Sequence, residues 1–301
     1  MNVTYRPMSA ADIDSTAYIR KAALEWLARS EGRTVDEWRP RRYPHFEHLL
    51  RTDPGGAWVA VADGTVVGFS MGFTRGPVWF LAQLFVQPEV HAQGMGDELL
   101  HRAMDDGRKR GASVFSVVSS TSPVAQALYM RAGMFAQAVC YRMRGPVTAL
   151  LAQPATSDRI VEASDRWPGR LRELDLHAYG GDRAQDHELY LSHAWGDEDQ
   201  HAFAIEREGK LVAYGYADDD GHVGPLAAYD AGDQRHLLRA AGDWLQSRNV
   251  EEAYGFVPSS NPTVAGELMA GGWRIGGWTF LKASERFGHP ECYLPGGGLL
   301  L

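Results

Sequence analysis

Cysteine is nearly missing: Cys140 and Cys292 are the only two in 301 residues. Two cysteines cannot build a disulfide framework, and no C-x-x-C pair offers a zinc corner, so no metal is expected. Long apolar runs are missing as well. Nothing approaches the about eighteen uninterrupted apolar residues that a membrane-spanning helix needs, and no membrane association is expected. The opening MNVTYRPMSAADID lacks the basic-then-apolar order of a secretion signal, which makes a reducing cytoplasm the expected location. Positive charge is in deficit, with 30 Lys and Arg against 38 Asp and Glu and a net charge of −8. A diffusely acidic surface repels phosphate backbones, which argues against nucleic acid and anionic membranes as partners.

What is present is a repeat. A chain of 301 residues is about twice a typical domain, and self-similarity divides it. Residues 57–74, AWVAVADGTVVGFSMGFT, read as a β-hairpin with its turn at Asp63-Gly64, and 202–217, AFAIEREGKLVAYGYA, repeat it with Gly209 in the turn. Further on, FSVVSSTSP ends at Pro123 and YGFVPSSNP at Pro262. Each is an apolar strand running into a capping residue, Ser122 or Asn261, with proline at the first helical position. Gly64 to Gly209 is 145 residues and Pro123 to Pro262 is 139, and the near-constant offset marks a duplicated fold.

The first half reads as strand 2–6, helices across 10–30 and 34–52, strands 57–63, 66–75 and 78–87, helix 96–110, strand 113–119, helix 123–132 and strand 135–143. The second reads as strand 158–163, helices near 169–178 and 183–195, strands 202–207, 210–217 and 222–229, helix 232–247, strand 251–257, helix 262–270 and strand 273–282. The boundary falls at 146–157, where GPVTALLAQPATS loses periodicity, giving domains 1–146 and 158–301. Hairpins mixed with β-α-β crossovers predict an α/β (α+β) class, each half a mixed, mostly antiparallel sheet flanked by helices. The tail HPECYLPGGGLLL reads as an extended docking segment or as disordered.

The sharpest local signal is LAQLFVQPEVHAQGMGDELLHRAMDDGRKRG. A β-rich run passes through Gly94-Met95-Gly96 directly into a helix whose Leu99, Leu100, Ala103 and Met104 form an apolar face. Glycines at a helix start leave backbone N–H groups uncovered at the positive end of the dipole, a ready site for a diphosphate. Taken alone, this is equally a glycine-rich helix start.

The order of these elements resembles the GNAT superfamily of acyltransferases. Its signature, Arg/Gln-x-x-Gly-x-Gly/Ala after a splayed strand, corresponds here to His91-Ala92-Gln93-Gly94-Met95-Gly96. Its later helix corresponds to Ala125, Leu128-Tyr129 and Gly133-Met134. The resemblance covers the whole first half and implies a tandem GNAT protein with acetyl-CoA as co-substrate. By it, the backbone of Leu84, Phe85 and Val86 would hold the pantetheine arm. The loop of His91, Ala92, Gln93, Gly94, Met95, Gly96 and Asp97 would hold the pyrophosphate, with Ser122 also on the cofactor. Tyr129 would be the catalytic residue, facing the CoA sulfur and assisting the departing thiolate. His91 stands where arginine or glutamine is usual. Asp97 and Glu98 would repel phosphate unless turned away. Gln83 replaces a common glutamate and cannot take a proton, so the base is another side chain, an ordered water or bulk solvent.

Trp26, Trp38, Tyr43 and Phe46 beside Glu25, Asp36, Glu37 and Glu47 suit a cationic amine and equally suit core aromatics near solvated charges. His187, His193 and His201 read as surface or capping histidines. In the second half, GPLAAYDAGDQRHLL has no Gly-x-Gly loop, and Leu268 stands at the Tyr129 position. That half reads as degenerate, completing the acceptor pocket or substituting for a homodimer partner, so the protein is a pseudo-dimeric monomer or a homodimer. The expected activity is acetyl transfer to the primary amine of a small molecule. The alternatives are a catalytically silent CoA- or metabolite-binding module and an interaction scaffold.

Overall fold

The computed structural model describes residues 2–32, 44–90, 94–162, 167–192 and 200–297. The chain divides into two compact units, one of Met1–Val117 with Ser122–Met134 and one of Val118–Thr121 with Phe135–Leu301.

The first unit contains β1 (Val3–Pro7), α1 (Ile13–Ser30), α2 (Pro44–Thr52), β2 (Ala57–Ala62), β3 (Thr65–Arg75), β4 (Val78–Val86), α3 (Met95–Lys109), most of β5 (Val114–Ser119) and α4 (Pro123–Arg131). Its strands lie in chain order, β1-β2-β3-β4-β5. The first three pairings are antiparallel and β4–β5 is parallel. The β2–β3 hairpin turns at Asp63 and Gly64, both at positive φ, the geometry a tight hairpin requires. The sequence-predicted helix 34–52 is described only from Pro44, and residues 33–43 lie outside the described residues.

Helix α3 packs Leu99, Leu100, Ala103 and Met104 inward as its period requires. The Trp79 ring fills the space between β3, β4 and α3 because Gly72 and Gly107 face it. A Cβ at either position would collide with the indole, and burying such a ring is worth roughly 2–3 kcal/mol. At the other end of α3, Asp53 is fully buried. It accepts from the Thr74 N–H at 3.0 Å, Arg75 at 2.9 Å, the Thr52 hydroxyl at 2.7 Å and Arg110. This carboxylate ties α2, β3 and α3 together.

The second unit contains β6 (Phe135–Pro146), α5 (Thr148–Leu151), β7 (Arg159–Glu162), α6 (Trp167–Ala178), α7 (Ala184–Leu191), β8 (Gln200–Arg207), β9 (Lys210–Asp218), β10 (His222–Ala228), α8 (Asp233–Ser247), β11 (Glu252–Pro258), α9 (Pro262–Ala270), β12 (Arg274–Ala283) and β13 (Tyr293–Leu294). Its strand order is β12-β6-β11-β10-β9-β8-β7, with β13 on β10. Three features go beyond the sequence pattern. Strand β6 follows α4 in the first repeat, yet it is hydrogen-bonded between β11 and β12 of this unit. The segment read as a linker forms α5 and sinks Val147, Ala149 and Leu150 into the core beside α8 and α9. Part of the tail forms β13, antiparallel to β10.

Candidate functional site

Strand β4 carries the event that builds the site. Met71 of β3 pairs with Gln83 and Gly72 with Leu81, so Ala82 is an extra residue, a β-bulge. The parallel ladder to β5 covers only Val78–Leu81 opposite Val114–Val117, whereas the ladder to β3 continues to Val86. The strands therefore part company at the bulge, and the half-buried Leu84, Phe85 and Val86 lie beyond the split.

The bulge also sorts side chains between the two faces. Leu84 packs against the cluster of Met95 and Leu99 and against the cluster of Leu100, Met104 and Tyr129. It thus faces α3 and α4. Phe85 lies 5.8 Å from Phe69, which lies 6.0 Å from Phe46 of α2. Gln83, two residues before Phe85 on the same strand, shares that α2 face.

Gly94 sits at φ 77°, the left-handed region, with open space where a Cβ would stand. Met95 and Gly96 are the first two residues of α3, where backbone N–H groups have no partner within the helix. The Asp97 N–H turns back to the Gly94 carbonyl at 3.1 Å. The two carboxylates that follow run along the helix: Glu98 pairs with Arg102 at 2.7 Å and Asp97 with His101 at 3.4 Å. Both side chains therefore lean along α3 toward its C-terminal end. His91, Ala92 and Gln93 lie outside the described residues.

Tyr129 occupies α4 with its ring buried among Trp79, Leu81, Leu100, Met104 and Met134. Burial raises its pKa above the usual phenol range. Tyr129 is 7% exposed, and among the described residues its hydroxyl makes no hydrogen bond. One residue earlier, the Leu128 side chain reaches within 3.8 Å of where a Gly96 Cβ would stand. Strand split, glycine-opened helix start and phenol are thus gathered on one face of the sheet. Ser122 caps α4 by position only, because its side chain makes no capping bond, whereas the side chain of Asn261 accepts from the Val264 N–H at 3.3 Å.

The described members of the group read from the sequence as possibly amine-binding differ in their surroundings. Phe46 is fully buried and Trp26 is 43% exposed. Glu25 is paired to Lys21 and Arg29. Trp38, Tyr43, Asp36 and Glu37 lie outside the described residues. A surface pocket of about 370 Å³ opens elsewhere in this unit between Met8, Ile13, Glu47, Leu50 and Arg51. None of the predicted cofactor residues lines it.

The second unit uses the corresponding region differently. Strand β10 has its own irregularity between Val223 and Leu226, and its parallel ladder to β11 stops at Val223. There β13 enters, pairing Leu294 with Leu226 and Tyr293 with Ala227. Behind it lies a polar core that the sequence reading missed. His187 is fully buried rather than at the surface or in a cap. Its Nε2 is 2.9 Å from Asp175 and its Nδ1 2.7 Å from the Tyr216 hydroxyl. Tyr214 donates to the other Asp175 oxygen at 2.8 Å, and Arg183 donates to Tyr293. Both ring nitrogens of His187 thus find side-chain partners, which satisfies the buried imidazole without water. The string DLHAYGGDR contains two members of this network, but period-based reading cannot reveal that they meet. His201 stacks on Trp244 at 5.1 Å, and His193 lies outside the described residues.

Comparison with known proteins bears on the fold. Residues 20–134 match the model of the Acetyltransferase (GNAT) family. Over 77 residues the chain is 34% identical to an uncharacterised N-acetyltransferase of Archaeoglobus fulgidus, a stretch equal to 23% of this chain and 52% of that protein. The chain thus spans about half the length of that curated relative. The structure of a candidate acetyltransferase from Pyrococcus horikoshii superposes with a TM-score of 0.72 at 18% identity, covering 97% of this chain and 92% of that one. A tandem GNAT protein from the clavulanic acid biosynthesis pathway superposes with a TM-score of 0.61 at 18% identity, covering 95% and 99%. At such identities the superpositions establish the fold: two GNAT-type units in tandem.

Proposed function

We propose, from the match of residues 20–134 to the GNAT acetyltransferase family model, that this protein transfers an acetyl group from acetyl-CoA to the primary amine of a small molecule. The observation that carries this reading is the convergence on one sheet face of the β4–β5 split, the Gly94–Gly96 helix start and Tyr129. The residues fit such a co-substrate. Backbone amides at Met95 and Gly96 with no Cβ over Gly94 suit a diphosphate, and the strand beyond Leu81 suits an amide-bearing arm that continues the sheet by hydrogen bonding.

Acetyl-CoA supplies an activated acyl carbon on a thioester. The chain's part is to place that carbon at the split in the sheet, with Tyr129 on one face and Gln83 on the other. Tyr129 keeps its proton: a phenol of reference pKa near 10, raised further by burial, is a weaker acid than a thiol near 8.5. Its role is to donate a hydrogen bond to the sulfur as negative charge develops, not to protonate it outright. The C–N bond forms as the C–S bond breaks. One proton leaves the amine nitrogen and one reaches the thiolate, giving amide and free thiol.

Calorimetry with acetyl-CoA should find one site per chain, and thiol release across a panel of amines should report turnover. Absence of acetyl-CoA binding would overturn the reading. Gln83, an amide where a base would serve, favours a second reading in which the site binds CoA without turnover. Binding with no thiol released from any amine would favour that one.

A further inference from the structure

Gln83 is 4% exposed, and neither end of its side-chain amide is hydrogen-bonded among the described residues; the Oε1 atom is sealed and unpaired. A sealed carbonyl oxygen without a partner costs roughly 1–3 kcal/mol, and native proteins rarely keep one without reason. This one follows the Ala82 bulge directly, at the level where β4 leaves β5, and faces α1 and α2 rather than Tyr129. We infer that Gln83 is the specificity-determining contact for the acceptor: its carbonyl takes an N–H of the attacking nitrogen, and the acceptors selected are weakly basic amines, such as aromatic amines and hydrazides. This rests on the acetyltransfer reading above.

The chemistry follows from what an amide cannot do. A carbonyl accepts a hydrogen bond from an amine or an ammonium alike, but only the neutral amine has the lone pair that attacks. With a glutamine at this place the ammonium proton must leave to solvent before binding. Among the described residues, the charged and titratable groups carried by α1 and α2 are engaged elsewhere, Glu47 in the lining of the pocket beside Met8 and Arg51. Lys21, Glu25 and Arg29 pair with one another on α1. Burial, Arg20 and His48 push the His45 ring down to about 3, too weak a base to draw a proton from an ammonium. His48 shares a contact of 3.3 Å with Arg51. β3 presents Phe69 and Met71. An alkyl amine with a pKa near 10.4 is neutral in only about one molecule in a thousand at pH 7.5, whereas an amine with a pKa below 7 is almost wholly neutral. The leaving sulfur takes up a proton equivalent to the one the new amide nitrogen releases, so no further reactant is needed.

The test uses the full chain with acetyl-CoA and two series of small amines matched in size, alkyl amines and aromatic amines or hydrazides. For the wild type, kcat/KM should favour the weakly basic series at least tenfold at pH 7.5. It should stay flat from pH 6.5 to 9 for that series and rise tenfold per pH unit for the alkyl one. Gln83→Leu, which keeps the volume and loses the carbonyl, should raise KM for the amine about tenfold and leave acetyl-CoA affinity unchanged. Gln83→Glu should narrow the preference. An alkyl-amine profile that levels off well below the amine's own pKa would reveal an enzyme base and overturn the inference. So would an unchanged amine KM in Gln83→Leu, or thiol release from neither series by a protein that binds acetyl-CoA. Failure to bind acetyl-CoA would instead sink the underlying reading.

Discussion

The two halves start from the same plan and treat the same gap in opposite ways. In each, the strand after the hairpin carries a bulge and then separates from its parallel neighbour, at Leu81 in the first half and at Val223 in the second. In the first half, no described strand other than β3 pairs with Leu84–Val86. In the second, β13 hydrogen-bonds β10 there, and Tyr293 from that strand plants its hydroxyl on Arg183 in a sealed polar core. The helix that follows repeats the contrast. Tyr129 and Leu268 are each the seventh residue of nine-residue helices. Each accepts at its carbonyl the N–H of the large apolar residue five positions on, at 2.8 and 2.9 Å. The backbone is conserved between the halves while the hydroxyl is not. The shared element is the hydrogen-bond frame of the fold; the residue type at the seventh helical position is what differs.

The strongest way to break the comparison is through the buried carboxylate each half relies on. Asp53→Ala removes four hydrogen bonds and strips Arg75 of its carboxylate, so we expect a loss of about 3–5 kcal/mol of stability in urea denaturation. Asp175→Asn keeps the shape but turns one of the two acceptor oxygens into an NH2 donor, so a loss of about 1–3 kcal/mol is expected. Equal losses would mean that the polar core of the second half bears as much of the fold as the Asp53 cluster of the first.

Next in size is the helix start. Gly94→Glu puts a side chain at positive φ and a negative charge into open space. Acetyl-CoA affinity should fall at least a hundredfold, about 2.7 kcal/mol. Gly232→Ala, at the start of α8 with an ordinary φ of −62°, should leave that affinity unchanged within twofold. A comparable loss from both variants in calorimetry would mean that the second half also contributes a cofactor surface. The phenol comes third. Tyr129→Phe keeps the ring in its cluster, so thermal stability should hold while kcat falls roughly 10- to 100-fold. Leu268→Met should alter neither kcat nor acetyl-CoA binding. An unchanged kcat in Tyr129→Phe would make α4 and α9 equivalent packing helices.

Much of this was legible locally. The hairpin turns at Asp63-Gly64 and Gly209, the proline-started helices and the glycine-opened α3 all depend on residues within a few positions of one another. What escaped depends on pairing across distance. Nothing in FAQAVCYRMRG says that β6 will join β11 and β12. Nothing in PECYLPGG marks Tyr293 and Leu294 as a strand until β10 offers its edge. The segment GPVTALLAQ reads as a linker because four helical residues are too few to show a period. The histidines misled for the same reason: His187 looks exposed on α7 until Asp175, Tyr214 and Tyr216 close around it. At the site, glycines and tyrosine were readable by type, but the orphaned amide of Gln83 was visible only once its surroundings were.

The smallest expected effect concerns how each half pins its first strand. In the first unit Arg6 at the end of β1 donates two bonds to Asp12, at 2.6 and 2.8 Å, and Ser9 adds its N–H and hydroxyl at 2.8 Å each. The Arg6 bonds, reinforced by Ser9, hold the Asp12 carboxyl at about 2. A carboxyl depressed in the folded state contributes stability above its unfolded pKa of about 3.9 and loses it as pH falls toward 2. In the second unit Arg207 instead bridges Asp158 and Asp233, sharing one cation between two carboxylates. Arg6 is 47% exposed, so solvent screens the pair and its worth is at most about 1 kcal/mol. Arg6→Gln should therefore lower the urea midpoint slightly at pH 7, and the gap from wild type should shrink between pH 4 and pH 2 as Asp12 protonates in both. A gap that persists unchanged at pH 2 would mean that Arg6 acts through packing on β1 rather than through charge, and the two clasps would then differ in kind.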